Sequence, residues 1–529
     1  MLNLATILYT LHQLNNLEVF WSYYSNFIPE FLIGSAIIIF ILFKAFKLDT
    51  YKKFTVYALT TVLTSACLVI YNILKTPEDF LYASFTYSIN NFSNVFKLLM
   101  LLLIASVLIL ASVREKIEKT VILKTTSRSS EYLVLILFGA LIFSVIISSN
   151  DLFLTYISLE GLSLLTSIFI IGYGPIFKSS EAAIKYFSIS AFTAGFVLFG
   201  ISLLYKKIQT TNYTEIHKYV QFCIENNRSD DLSWISLSLI FIMVGFFFKL
   251  TVAPFHLWAT EVYGNIPIVT AAFIFLPYKF SLLIGFFKIL NYAFYSLSWI
   301  WSPIILILSI TCILWGSLGA IYEDKIKKFL VFASINQTGF ILLGVGSGTF
   351  YGISASLMHL VFYFFSMVAL FLFLVIVKAY NPEKKSSYLH QLQYLYIPKQ
   401  YSFFLIPLIF SMAGFPPLYG FFTKYFLLLE TLNASGILFV ALVLILNIIS
   451  SFYYLRLVKN IFFTVSSDEK IELQSSTQPN LYNVSFTIFA IIVTILGGGW
   501  VFLNDIVFFF DTLTENLLYP CFTQQITLF

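Results

Sequence analysis

SWISLSLIFIMVGFFFKLTVAPFHLW, residues 233–258, sets the class of this protein. The run is apolar or hydroxyl-bearing almost throughout, with one full charge, Lys249, and a proline, Pro254, five residues later. About 20 mostly apolar residues cross a bilayer core as a helix. A lysine placed in such a helix costs at least about 2.5–3.5 kcal/mol on insertion scales. Proline removes a backbone hydrogen bond and interrupts the helix. Bare backbone at membrane depth is tolerated only against protein or a water-lined cavity, and transporters place their ion sites at such interrupted helices. The stretch therefore predicts a membrane helix whose charge and break serve transport.

Moving outward from it, the chain offers apolar windows at 28–46, 54–74, 92–113, 131–149, 151–173, 181–205, 266–290, 302–322, 327–349, 351–377, 401–430, 434–462 and 483–506. With 233–258 as the seventh, these predict an all-α polytopic membrane protein of about 14 transmembrane helices. Residues 1–21 read as an interfacial lead-in, and 507–529 as an amphipathic tail on the surface. Of 529 residues, 59% are hydrophobic and 11% charged, against roughly 25% charged in soluble proteins. Mean hydropathy is +0.88. Soluble enzymes and disordered chains are excluded, and a net charge of +5 dispersed over the chain excludes nucleic-acid binding.

Basic residues cluster after odd-numbered spans, chiefly Lys44 to Lys53, Arg114 to Arg128, Lys325 to Lys328 and Lys378 to Lys399. That bias puts the basic face in the cytoplasm or matrix and both termini on the opposite side. The basic residues are 27 Lys and 4 Arg, beside 60 Phe and 33 Tyr. This usage fits an AT-rich, organellar coding sequence. The N-terminus carries no cleavable-signal or transit pattern, which predicts insertion without processing. Cys67, Cys223, Cys312 and Cys521 form no metal or disulfide pattern. GVGSG at 344–348 follows no strand and reads as a helix turn, not a phosphate loop.

The informative residues are the charges left inside spans. Glu160 lies about 15 Å into the fifth span at helical rise, with Lys249 in the seventh as a partner. Pro416 and Pro417 interrupt the twelfth span, and Lys424 follows them. Two proline-broken helices, each with one lysine and five spans apart, suggest two inverted five-helix repeats at 131–290 and 302–462. Residues 1–130 precede them, and a loop, a fourteenth helix and a tail follow over 463–529. Lys279, beside Pro277, falls in the middle of the eighth span. Desolvation favours a neutral amine and a nearby carboxylate favours ammonium, so a lysine here can take up and release a proton. His359 and His256 are candidate relays. Lys185, four residues after Glu181, is a third relay candidate, although the spacing also fits a stabilising pair at a helix start. Lys97, near a span end, reads as a snorkelling side chain. Asp151, Asp324 and Glu430 read as boundary residues.

Several of these residues stand in recognisable motifs: SLEGLSLLTSIFIIGY (158–173), SSEAAIKYFSISAFTAGFVLFGISLLY (179–205), FFKLTVAPFHLWATEVYGNIP (247–267), EDKIKKFLVFASINQTGFILLG (323–344) and MAGFPPLYGFFTKY (412–425). Together they resemble the antiporter-like membrane subunits of respiratory complex I, most closely the subunit 2, or N-type, branch. Thr260, Glu261, Lys328, Ala333 and Gln337 depart from the branch's usual Pro, Asp, Arg, Ser and His.

The resemblance implies that Glu160 and Lys249 are the glutamate–lysine pair, Lys279 the central lysine and Lys424 the terminal one. It implies a proton-translocating subunit of NADH:ubiquinone oxidoreductase with no redox centre of its own; FMN, iron–sulfur clusters and ubiquinone would belong to other subunits. Expected partners are subunits 4, 4L and 6 and lipids such as cardiolipin, in the mitochondrial inner membrane. Two rivals share the charges. One is an autonomous cation/proton antiporter or the equivalent hydrogenase subunit; the other is a structural membrane spacer. A quinone site is unsupported, because the aromatics are spread over the whole chain.

Overall fold

The computed structural model describes residues 26–46, 51–75, 80–82, 86–121, 129–173, 176–381, 387–395, 397, 399–462 and 503–526. Long apolar runs leave backbone groups no partner in lipid, so each run closes its own hydrogen bonds as a helix. The first group comprises α1 (Ile28–Ala45), α2 (Tyr51–Lys75), α3 (Asn91–Val121), α4 (Ser129–Ser148), α5 (Leu152–Tyr173) and α6 (Ile176–Ile208). A short helix, α7 (Tyr213–Glu225), follows, capped by the Asn212 side chain on Thr214 N at 3.0 Å. Then come α8 (Ser229–Lys249) and α9 (Leu257–Asn265). Next, α10 (Ile268–Phe273) passes through a π-helical turn (Ile274–Tyr278) into α11 (Lys279–Lys288) and a second π turn (Ile289–Ala293). The remainder is α12 (Ser298–Tyr322), α13 (Ile326–Gly346), α14 (Phe350–Tyr380), α15 (Lys399–Ala413), α16 (Tyr419–Ser435), α17 (Ile437–Phe462) and α18 (Leu503–Ile526).

Among the described residues, 12 helices are long and apolar enough to cross a membrane. The difference from 14 has two sources. The predicted twelfth span is two shorter helices, α15 and α16, separated at Gly414–Leu418. Most of the fourteenth, and residues 1–21, lie outside the described residues. The seventh span also ends earlier than expected, at Lys249, and resumes as α9 beyond the break. The fold is not purely helical: β1 (Phe80–Tyr82) pairs antiparallel with β2 (Tyr87–Ile89). The tail does not lie free on the surface. α18 packs on α14, burying Leu513, Leu517 and Leu518, and Asp511 accepts from Ser354 Oγ at 2.5 Å.

Burial grades from the middle outward. The windows Ile268–Ala293 and Ile326–Gly346 are each 94% buried, against 28% for α1. The central helices therefore meet protein on every side, where ionisable residues can be held without facing lipid. α12 and α13 form the closest pair; a Cβ on Gly316 would lie 2.5 Å from Asn336 N. Residues 344–348 are the end of α13 and its turn, with Gly348 at φ +67, as read from the sequence.

Candidate functional site

The break after α8 is built from residues 250–256. Thr251 adopts φ +59, a conformation a β-branched residue rarely takes. The bare backbone is met by α12: Ala253 N donates to Cys312 Sγ at 3.1 Å, and Thr311 Oγ1 donates to Ala253 O at 3.1 Å. Among the prolines predicted to interrupt helices, Pro254 sits in this break and Pro416 and Pro417 in the second one. Pro277 behaves differently. It sits in the π turn, which absorbs the missing N–H without ending the helix.

Lys249, the last residue of α8, is buried. Its Nζ donates to Leu159 O on α5 at 3.0 Å and lies 3.6 Å from Glu160 Oε1. The Glu160 side chain is 30% exposed, on the outer side of α5 between Ile157 and Leu164. Two residues beyond Lys249, Thr251 Oγ1 accepts from Lys279 Nζ at 2.8 Å, and Ser334 Oγ on α13 accepts from the same Nζ at 3.1 Å. Lys279 is fully buried, with its ammonium 5.8 Å from the Phe275 ring centroid.

One turn further along α13, Gln337 faces the second break. Its Nε2 donates to Met412 O at 3.2 Å and to Tyr454 OH at 2.8 Å, and its Oε1 lies 3.0 Å from His359 Nε2. His359 Nδ1 contacts Thr423 Oγ1 at 3.0 Å. Lys424 Nζ donates to Met412 O at 3.1 Å, Ala413 O at 3.2 Å and Asn447 Oδ1 at 2.9 Å. The first two are carbonyls at the C-terminus of α15, where a helix dipole favours a cation. Gly414, at φ +90, lets the lysine pass; a Cβ there would sit 3.1 Å from Lys424 Cδ.

The structure thus lines up Glu160, Lys249, Lys279, His359 and Lys424 in three polar clusters, Glu160–Lys249, Thr251–Lys279–Ser334 and Gln337–His359–Lys424, buried except at Glu160 and set side by side through residues 249–251 and one turn of α13. It does not join the other two relay candidates. His256 is buried against Trp315 and Phe332, and its Nδ1 has no hydrogen-bond partner among the described residues. Lys185 is 46% exposed and bridges Glu181 at 2.8 Å and Glu261 at 2.9 Å, tying α6 to α9 at the surface.

Two features escaped the sequence reading. Lys97 does not snorkel: it is buried with Glu30 at 2.6 Å and Tyr87 OH at 3.0 Å. Lys288 is equally buried and donates to Ser88 Oγ at 2.6 Å. Adjacent residues of β2 thus hold two lysines. Asp151 stands at a helix boundary, as expected, whereas Glu430 lies within α16, which runs on to Ser435. Asp151 accepts from Phe153 N at 2.7 Å as the cap of α5, and Glu430 accepts from Thr349 Oγ1 at 2.9 Å. Asp324 pairs with Arg456.

A family described as NADH:quinone oxidoreductase/Mrp antiporter, transmembrane, matches residues 149–450, which span all three clusters. The chain belongs to that family. Among its relatives, NADH-quinone oxidoreductase subunit N of Pelagibacter ubique is 31% identical over 463 residues, 85% of this chain and 93% of that one. NADH-ubiquinone oxidoreductase chain 2 of Marchantia polymorpha is 32% identical over 336 residues, covering 63% and 67%. The fold recurs in respiratory complex I from Thermus thermophilus, with TM-score 0.69, 19% identity and coverage of 90% and 98%. It recurs as well in the Mrp complex from Dietzia sp. DQ12-45-1b, with TM-score 0.75, 16% identity and coverage of 94% and 98%. Among family members, then, this chain sits with the N-type membrane subunits.

Proposed function

We propose that this chain is a proton-translocating membrane-arm subunit of NADH:ubiquinone oxidoreductase. The observation that carries the reading is the row of polar contacts from Glu160 to Lys424, three clusters that follow one another along the first break and along α13. At about 4 Å, unit charges attract by about 4 kcal/mol at an effective dielectric near 20. Carrying one charge against 100 mV costs about 2.3 kcal/mol. Opening and closing the Glu160–Lys249 contact is therefore large enough to gate one proton. Lys279, His359 and Lys424 carry the charge onward, and the two broken helices mark two inverted repeats. This chain would bind no redox cofactor. FMN, iron–sulfur clusters and ubiquinone would stay with other subunits, including neighbours 4, 4L and 6, in a cardiolipin-containing membrane. The plant chain 2 relative and the AT-rich residue usage favour the mitochondrial inner membrane, with termini toward the intermembrane space.

In the assembled complex, Glu160→Gln or Lys249→Ala is expected to lower proton pumping at least about tenfold, the effect of 1.4 kcal/mol. Undiminished pumping with normal quinone reduction would overturn the assignment. The likeness to the Mrp fold favours one second reading, an autonomous antiporter. Sodium or potassium transport by the isolated chain in vesicles would support it.

A further inference from the structure

Lys249 borders a cavity of about 10 Å³ that no step above uses. Its polar walls are Tyr186, Ser190 and Thr193 on α6, Trp258 on α9 and Tyr278 in the first π turn. The two tyrosine hydroxyls lie 3.0 Å apart, on fully buried rings. Two hydroxyls that share one hydrogen bond keep one O–H and several lone pairs free for a third group. Trp258 Nε1 is a buried donor with no hydrogen-bond partner among the described residues. Behind it Tyr263 OH is likewise buried and unpartnered, its ring 5.6 Å from that of Trp258. On the other side of Lys249, Glu160 Oε1 is buried without a hydrogen bond, at 3.6 Å from Nζ. A cavity of about 10–15 Å³ accommodates one water where two to four polar groups surround it, whereas apolar cavities stay dry. This one has the volume of one water; its wall is mostly apolar, Ile189 and Phe248 included, and Lys249, Tyr186, Tyr278 and Trp258 supply the polar groups around it.

We propose that the cavity is a single-water site in which the Tyr186–Tyr278 hydroxyl pair and Trp258 hold a water against Lys249. The inference rests on the proton-translocation reading and adds its positioning residues. A carboxylate only accepts hydrogen bonds, so Glu160 cannot donate to the lone pair that Lys249 exposes once it is neutral. A water serves both forms, accepting from the ammonium and donating to the neutral amine. It therefore gives Lys249 a partner when Glu160 withdraws, and the proton need not leave into an apolar void. Tyr278 immediately precedes Lys279, so the water also lies beside the π turn that carries the next lysine.

The test uses the assembled complex with Tyr186→Phe, Tyr278→Phe and the pair, which preserve ring packing and remove the hydroxyls. A high-resolution map of the unsubstituted complex is expected to show a water within hydrogen-bond distance of Lys249 Nζ and the tyrosine oxygens. The double variant is expected to lose that density, to pump about fivefold to tenfold more slowly, the weight of one or two lost hydrogen bonds, and to show a displaced pH profile. An empty cavity in a map that resolves other buried waters would overturn the proposal. So would an unchanged pumping rate and pH profile in an assembled double variant. Should the double variant fail to assemble, Tyr278→Phe alone and the map decide. Glu160→Gln is run in parallel. If it pumps normally the translocation reading fails, whereas loss there with normal tyrosine variants removes only the water site.

Discussion

Gln337 binds His359, Met412 O and Tyr454 with one uncharged side chain. Its Oε1 only accepts, so the contact is a hydrogen bond when His359 carries a proton on Nε2. On the far side, Thr423 Oγ1 donates to Gly420 O at 3.0 Å and can accept from a protonated Nδ1. Turning that hydroxyl toward Nδ1 serves the neutral ring instead. The cradle thus fits His359 in either protonation state, as a relay requires. Gln337→Leu would leave two buried groups unpaired, at about 1–3 kcal/mol each. It is expected to slow pumping about tenfold in reconstituted vesicles, and Gln337→His to preserve it. The four principal charges were legible in the sequence because an ion in an apolar helix is rare and costly. Gln337 was not, because an amide carries no such cost and stood only as a departure from a motif. Lys97 and Lys288 lie near span ends, where a snorkelling lysine and a buried one share the same pattern.

Both breaks were legible from their prolines, but their wiring was not. The first places its lysine before the break and satisfies the bare backbone from α12, whereas the second places it after and satisfies the carbonyls from Lys424 itself. The hairpin was not legible either: three-residue strands carry too little alternation to read. Its worth is testable through Glu30. Removing one partner of a buried ion pair costs about 3–5 kcal/mol, so Glu30→Ala is expected to lower the melting temperature of the purified chain, and Glu30→Asp to lower it less. α7 makes a separate prediction. His217 is buried, and burial holds its imidazole below the ordinary range. In the opened state it takes a proton near pH 6.5. Its contribution is therefore full above about pH 6.5 and falls as the pH drops below that value. Amide hydrogen exchange over residues 213–225, corrected for intrinsic rates, is expected to quicken between pH 7.5 and 5.5 and to lose that dependence in His217→Leu.

Across the molecule, burial falls from the central helices to α1, and α5 lies between, half buried. Ile157, Leu164, Ile168 and Ile171 are each more than half exposed there, with Glu160 among them. A partly exposed carboxylate at mid-span is tolerable against protein but costly against lipid, so a subunit packed on this face would lower that cost. Ile168→Lys is expected to leave the purified chain folded by circular dichroism and to deplete the intact complex on native gels. The apolar windows revealed the class and approximate span count from composition alone. Which faces meet lipid and which meet protein was not legible, because both are equally apolar.

Thr251 sets stability against work. A β-branched residue at φ +59 is strained by about 1–3 kcal/mol, and glycine would relieve it. Glycine would also remove the hydroxyl that receives Lys279. Thr251→Gly is therefore expected to give a hardier protein and a poorer pump, and Thr251→Ala to lose the hydroxyl while keeping the strain. A search for heat-resistant variants of this chain would be drawn to position 251, and selection for respiratory growth would drive it back.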